Sequence, residues 1–145
     1  MPRANVSIAI ERPVQDVFAV VSNPTNMPKW NSTLLSATKT SDGPTGVGTT
    51  VQSTGNMFGR QLQTEFTVTE FEVNRRFAVT ATKPFPLVMT VALEPTTGGT
   101  RVDLTADVAP SGLFRLAGPL MARMGKRQAR RNLENLRGML EAEAL

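Results

Sequence analysis

The pattern of apolar and polar positions changes its period along the chain. Apolar residues alternate with polar or small ones over residues 5–10, which predicts a strand with one buried face. After Pro13 the spacing becomes helical, and an apolar stripe runs along residues 14–21. The stretch 25–30 is bracketed by prolines and predicts a second short helix or turn.

From Leu34 onward apolar residues recur at alternate positions, which predicts six more strands. We place them at residues 34–40, 48–56, 61–71, 76–82, 87–94 and 101–108. Their connections carry Gly, Pro and Asn and are too short for crossover helices, so an antiparallel sheet is expected. One set of alternate positions in these strands is apolar and the other set is polar, so the sheet has one apolar face that another element must bury. We call these two sets the apolar and the polar parity. The apolar parity comprises Leu62, Thr64, Phe66, Val68, Phe77, Val79, Ala81, Leu87, Met89, Val91, Leu93, Val102, Leu104, Ala106 and Val108.

The last third of the chain is the element long enough to cover that face. Ser111 is placed to cap a helix, Pro119 suits a first helical turn, and no later proline interrupts the run to Leu145. We expect one apolar helix face, at Leu120, Met121, Met124, Ala129, Leu133, Leu136 and Leu140. The prediction is an α+β fold in a single domain over residues 1–145, with a strand, two short helices, six strands and a long helix.

Composition narrows the chemistry. With 40% apolar and 19% charged residues the chain is expected to be globular. It has no Cys, His or Tyr, which excludes thiol nucleophiles, imidazole bases and Cys-ligated zinc. No metal or redox cofactor is implied. Neither a signal peptide nor a membrane-spanning apolar run is recognisable, so a cytoplasmic protein is expected.

The net charge of +4 lies in the C-terminal third, because residues 1–109 contain nine basic and nine acidic residues. The predicted long helix carries Arg123, Lys126, Arg127, Arg130, Arg131 and Arg137. One interpretation is a solvated helix face with internal pairs Arg130–Glu134 and Arg137–Glu141. A second is contact with an anionic membrane surface or acidic partner. A third, nucleic-acid binding, is less favoured because no nucleic-acid motif accompanies the charges.

Six segments match a known group of proteins: residues 10–18, 22–30, 46–49, 72–77, 98–102 and 113–120. On these segments the chain resembles the START-like (SRPBCC) superfamily, within it the polyketide cyclase/dehydrase and lipid-transport group. The resemblance implies a helix-grip fold, in which a seven-stranded curved antiparallel sheet wraps round the C-terminal helix. It also implies an internal cavity for an apolar or amphipathic ligand, and it does not name that ligand.

A ligand cavity between sheet and helix would be lined by the apolar parity. The predicted wall residues are Val51, Ser53, Met57, Leu62, Thr64, Phe66, Phe77, Val79, Met89, Val91 and Leu104, closed by Leu116, Leu120, Met121 and Met124. The same pattern also makes a solid core, so both interpretations stay open. Trp30 either stacks on ligand at the cavity mouth or packs beneath the short helices. Arg60, at a turn, is a possible contact for an anionic ligand head.

Three functions are compatible with these patterns. The first is binding or transport of a small apolar or amphipathic molecule, lipid or polyketide-like. The second is an enzyme of the cyclase or dehydrase kind that positions its substrate, with Ser53 and Thr64 as hydrogen-bond donors. Candidate acid/base groups are Glu65, Asp103, Asp107, Arg60 and Arg76, most of which are predicted to face solvent. The third function is an interaction protein that uses the basic helix, and the residues leave open whether any reaction is catalysed.

Overall fold

The structure is a computed structural model, and it describes residues 3–57, 59–82, 86–108 and 118–142. The strands are β1 (Arg3–Ile10), β2 (Leu34–Lys39), β3 (Thr50–Met57), β4 (Arg60–Glu72), β5 (Arg76–Ala81), β6 (Leu87–Thr96) and β7 (Gly99–Val108). The helices are α1 (Val14–Val21), a 3-10 turn (Pro24–Asn26), α2 (Met27–Trp30) and α3 (Gly118–Ala142). The six strands after Leu34 begin and end within two residues of their predicted limits. The predicted fold class is confirmed.

The seven strands form one curved antiparallel sheet in the order β1-β7-β6-β5-β4-β3-β2. Strands β2 to β7 follow one another as hairpins, and the N-terminal strand β1 pairs with the last strand, β7. Because the turns between β2 and β7 are short, strands that follow one another in the sequence are also neighbours in the sheet. The two sheet edges are therefore β1 and β2.

The predicted apolar parity lies on one face, which we call the inner face. Residues opposite each other in neighbouring strands share a face, and Leu104, Val91 and Phe77 lie opposite one another across β7, β6 and β5. All three are buried, whereas Gln63 and Glu65 on the other parity of β4 are exposed. One face of the sheet thus packs the core and the outer face meets water, as predicted.

A bulge in β4 changes this parity near its end. The register shifts between Val68 and Glu70, so that Phe71 pairs with Phe77. The Phe71 ring packs edge-on against Phe18 of α1, with centroids 5.3 Å apart, and against Phe77, with centroids 6.2 Å apart. The inserted residue therefore brings an aromatic side chain to the inner face, where it ties α1 to the sheet.

Helix α3 covers the inner face at the β1 edge. It lies closest to β1, with further contacts to β7 and α2, and it buries Ala129, Leu133, Leu136 and Leu140. Met124 was predicted to share this buried face, but it is 57% exposed. The step from Met124 to Ala129 is five residues, which turns the helix by about 140° and puts the two side chains on different sides. The side chains of Leu120 and Met121 lie outside the described residues.

The C-terminal end of α3 is fastened to the end of β1 by two polar contacts. The guanidinium of Arg12 donates a hydrogen bond to the carbonyl of Leu140 and also pairs with Asp16 at 2.8 Å. The carboxylate of Glu141 accepts the main-chain N–H of Glu11 at 3.0 Å. A cation at the carbonyl end of a helix interacts favourably with the helix dipole. No helix in the described ranges is long and apolar enough to cross a membrane.

Candidate ligand-binding site

The predicted wall residues come together on the inner face. Val51 lies opposite Phe66, Ser53 opposite Thr64 and Val79 opposite Met89 in the strand register. Parity predicted this arrangement because alternate residues of a strand share a face. Met57 ends β3, but its side chain lies outside the described residues, as do those of Leu120 and Met121. Leu116 also lies outside them.

Burial divides the described wall residues into two groups. The first group is at most 2% exposed and packs as core: Trp30, Val51, Ser53, Phe77, Val79, Val91 and Leu104. Phe66 and Met89 are slightly more exposed, at 6% and 8%. In contrast, Leu62 and Thr64 on β4 are only half-buried. The accessible part of the predicted wall is therefore on β4, well away from the edge that α3 covers most closely.

Arg60 extends this accessible part into a row. It starts β4 opposite Met57 and lies on the same parity as Leu62 and Thr64, so the three residues follow one another along the inner face. Arg60 is exposed, and no ion pair joins it to another residue in the described part of the chain. The row presents a cation, an apolar group and a hydroxyl in succession. We call Arg60, Leu62 and Thr64 the β4 row.

The two hydroxyl groups predicted as donors differ in availability. Ser53 is buried, and its hydroxyl donates to the main-chain carbonyl of Thr64 at 3.1 Å, so its hydrogen is already used inside the sheet. The hydroxyl of Thr64 has no hydrogen-bond partner among the residues that the structure describes. Thr64 is therefore the hydroxyl of this pair that can donate to a bound molecule.

The β3 strand makes room for a close approach beside the β4 row. Gly55 lies opposite Leu62, and a Cβ atom at Gly55 would come within 2.8 Å of the carbonyl oxygen of Thr33. That carbonyl accepts the N–H of Asn56 at 2.8 Å. A side chain at position 55 would displace this connection, so glycine is needed here for the loop between α2 and β2 to pack on the sheet.

Trp30 packs inside the molecule. It is 1% exposed, and its carbonyl accepts a hydrogen bond from Asn135 of α3 at 3.3 Å. Its indole Nε1 is the one buried side-chain polar atom without a partner in the described parts of the chain. Such an unpaired donor costs free energy. The burial favours the packing interpretation of Trp30 over a position at a cavity mouth.

Polar residues of α3 hold the α2–β2 connection, which sequence analysis did not predict. The side-chain oxygen of Asn132 accepts from the N–H of Ser32 at 3.3 Å and from Gln128 at 2.8 Å, and Gln128 also donates to the hydroxyl of Ser32. Asn132 is buried between apolar positions of α3. A polar residue inside a predicted apolar stripe is the signal that would have pointed to this contact.

Because α2 contacts both α3 and β2, the helices connect the two edges of the sheet across its inner face. Helix α3 lies on β1 at one edge, and α2 with the 3-10 turn lies on β2 at the other. A helix therefore lies over the inner face at each of the two sheet edges. This arrangement is the framework in which a helix-grip sheet can hold a ligand.

The ionisable candidates for catalysis are largely outside this framework. Glu65 is exposed on the outer face, and Arg76 pairs there with Glu70 at 2.9 Å. Asp103 contacts Arg101 at 3.3 Å and accepts a hydrogen bond from the hydroxyl of Ser7. Asp107 also lies on the outer parity, opposite Val88. The inner-face positions of the described strands contain no Asp or Glu, so they offer no carboxylate for acid/base chemistry.

Comparisons with known proteins agree with this fold. The family model described as polyketide cyclase/dehydrase and lipid transport matches residues 1–141. TTHA0849 from Thermus thermophilus has a similar structure, with a TM-score of 0.82 and 16% identity, covering 99% of this chain and 100% of that chain. DR_A0006 from Deinococcus radiodurans gives 0.74 and 17%, covering 99% of each chain.

A third similar structure is the di-domain ARO/CYC BexL from the BE-7585A biosynthetic pathway. It has a TM-score of 0.76 and 17% identity, and the match covers 97% of this chain and 47% of that chain. At these identities the three structures establish the fold alone. A search of curated proteins finds no match.

Proposed function

Because the chain belongs to the polyketide cyclase/dehydrase and lipid transport family, we propose that it binds a small amphipathic molecule on the inner face of its sheet. The ligand class is a lipid or a polyketide-like compound. The observation that carries the proposal is the β4 row, which combines a half-buried apolar side chain with a cation at one end and, at the other, a hydroxyl that has no hydrogen-bond partner in the described residues. Few polar groups on an apolar surface are typical of small-molecule sites.

The order of groups in the β4 row favours a ligand with an anionic head. Arg60 is exposed at the start of β4 and has no carboxylate partner in the described residues, so it is free to pair with an incoming anion. Leu62 is suited to the ligand's apolar chain, and Thr64 to a carbonyl or hydroxyl deeper along the strand. The resulting ligand is an apolar chain or ring system that ends in a carboxylate or similar group.

Binding is favoured over catalysis by the chemistry of the inner face. A cyclase or dehydrase needs groups that move protons, and the described inner-face positions supply no carboxylate, while the chain contains no His, Cys or Tyr. An enzyme acting by positioning alone would rely on Thr64, since the Ser53 hydroxyl is bonded within the sheet. We therefore infer a carrier or binding protein first. Its cytoplasmic location stays a prediction from the sequence.

Isothermal titration calorimetry with a long-chain fatty acid and with the matching fatty alcohol tests the proposal. We expect saturable binding of the acid and weaker binding of the alcohol. Leu62→Trp fills the space beside the β4 row and is expected to weaken binding roughly tenfold or more. Gln63→Trp is the matched control, because position 63 is exposed on the outer face and receives the same side chain.

A second variant tests the anionic head. Arg60→Gln is expected to weaken binding of the acid by about two- to fivefold and to leave the alcohol unchanged, because an exposed ion pair contributes little. Equal losses for both ligands would contradict the role of Arg60. Indifference of the wild-type protein to the acid, the alcohol and aromatic polyketide-like compounds would contradict the proposed function itself.

A further inference from the structure

We propose that the exposed side of the first half of α3 docks onto membranes that contain anionic lipid. From Arg123 to Arg131, five of the nine residues are basic and none is acidic. All five side chains are exposed. We call this surface, formed by Arg123, Lys126, Arg127, Arg130 and Arg131 together with Met124, the basic patch.

The cations of the basic patch are unpaired, unlike several elsewhere in the molecule. Arg12, Arg76 and Arg101 each pair with a carboxylate, whereas no ion pair within 4.0 Å involves the basic patch in the described residues. The predicted pairs Arg130–Glu134 and Arg137–Glu141 do not form, and Glu141 instead accepts the N–H of Glu11. The two helix-spaced pairs that favoured a solvated face are therefore absent among the described residues, and the five cations are available to an anionic partner.

The helix arranges these groups on one side. Two rows of side chains, with steps of four and three residues, share Arg127. One row contains Arg123, Arg127 and Arg130. The other begins at Met124 and continues through Arg127 to Arg131. With a rise of about 1.5 Å per residue, the rows extend roughly 12 Å along the helix. They lie opposite the side that buries Leu133 and Leu136. The two rows thus face away from the sheet, where a flat partner can reach them, and exposed Lys126 flanks them on the side of Leu133.

Met124 distinguishes a membrane from other anionic partners. It is 57% exposed next to Arg123 and one turn before Arg127, and an apolar side chain there gains by entering the interface of a bilayer. Anionic lipid attracts the surrounding Lys and Arg side chains. A single-stranded nucleic acid is less favoured because α3 contains no aromatic residue on which its bases could stack, and an exposed apolar side chain gains nothing from a phosphate backbone. The combination of cations and one exposed apolar side chain matches a lipid surface.

Co-sedimentation with phosphatidylcholine vesicles, with and without phosphatidylserine, tests this inference. We expect binding only to the phosphatidylserine vesicles, with release at high salt. The double variant Arg127→Glu/Arg131→Glu is expected to lower the partition coefficient roughly tenfold or more. The matched control is Arg75→Glu/Arg101→Glu, which changes the net charge equally at an exposed turn and an exposed position of β7. It is expected to lower binding by no more than about threefold.

Equal losses in the two double variants would mean that net charge alone attracts the protein, and would overturn the docking site. No binding to phosphatidylserine vesicles at low salt, or tighter binding to duplex DNA than to vesicles, would also overturn it. Met124→Ser tests insertion and is expected to lower the partition coefficient by about fivefold, against no change for Val73→Ser at another exposed apolar position. Unchanged binding of Met124→Ser would contradict insertion. None of these residues belongs to the β4 row, so this test and the ligand titration fail independently.

Discussion

The two halves of α3 differ in what their side chains contact. The second half buries Leu133, Leu136 and Leu140, and its last turn is tied to β1 through Arg12 and Glu141. The first half carries the basic patch, in which the cations and Met124 face water. One continuous helix therefore joins a packing segment to a surface segment.

The two segments overlap at Ala129, Arg130 and Arg131, where sequence spacing puts packing and surface side chains on different sides of the helix. Apolar residues from Ala129 to Leu140 are separated by steps of three and four, which keep them on one side of the helix. The five-residue step before Ala129 breaks this series and moves Met124 away from the core. Because packing and surface residues are separate, substitutions in one half are expected to leave the other half's property intact.

The largest expected effect comes from the packing half. Leu136 is fully buried, and Leu136→Ala should lower the free energy of unfolding by about 2–4 kcal/mol through lost burial and the resulting cavity. Met124→Ala, in the surface half, should change it by less than about 0.5 kcal/mol. Urea denaturation followed by circular dichroism measures both. Similar losses for the two variants would remove the distinction between the halves.

A smaller effect is expected at the end of the packing half. Arg12→Ala removes the donor to the Leu140 carbonyl and should lower the free energy of unfolding by about 1–2 kcal/mol. Amide hydrogen exchange should accelerate in the last turn of α3 more than in the strands. Arg75→Ala, at an exposed turn, serves as the control and should be close to wild type. Uniform acceleration across the sheet would show that Arg12 does not act on the helix end.

The smallest effect on stability is expected from the basic patch. Arg127→Glu/Arg131→Glu should keep the unfolding free energy within about 0.5 kcal/mol of wild type, because these side chains are exposed and form no ion pair with a described residue. Thermal unfolding at low and high salt measures this. A large loss of stability in this double variant would mean that the basic patch contributes to packing. Its loss of vesicle binding would then reflect unfolding.

Features of the structure that depend on neighbouring residues in the sequence were predicted, and features that depend on residues far apart in the sequence were not. Alternation and helical spacing predicted the strands and α3, because side-chain direction repeats locally along the chain. The bulge that brings Phe71 to the inner face was not predicted, since it depends on the pairing of β4 with β5. The same holds for the contacts of Arg12 with Leu140 and of Asn132 with Ser32, whose partners lie 128 and 100 residues apart.

The candidate site was predicted only in part for the same reason. Parity identified the inner face, but the difference between buried Val51 and half-buried Leu62 depends on which elements cover each strand. The place of Arg60 on the inner-face parity follows from the register of β3 and β4. Met124 was wrongly predicted to be buried, although the five-residue step before Ala129 is a local signal from which its exposure could have been predicted.

The most direct test of the central claim is native mass spectrometry of the wild-type protein, Leu62→Trp and Gln63→Trp after addition of the fatty acid. We predict a one-to-one complex for the wild type and for Gln63→Trp, and the ligand-free mass for Leu62→Trp when that variant is folded by circular dichroism. A retained ligand in folded Leu62→Trp would move the site away from the β4 row. The ligand-free mass for all three proteins would contradict ligand binding on the inner face.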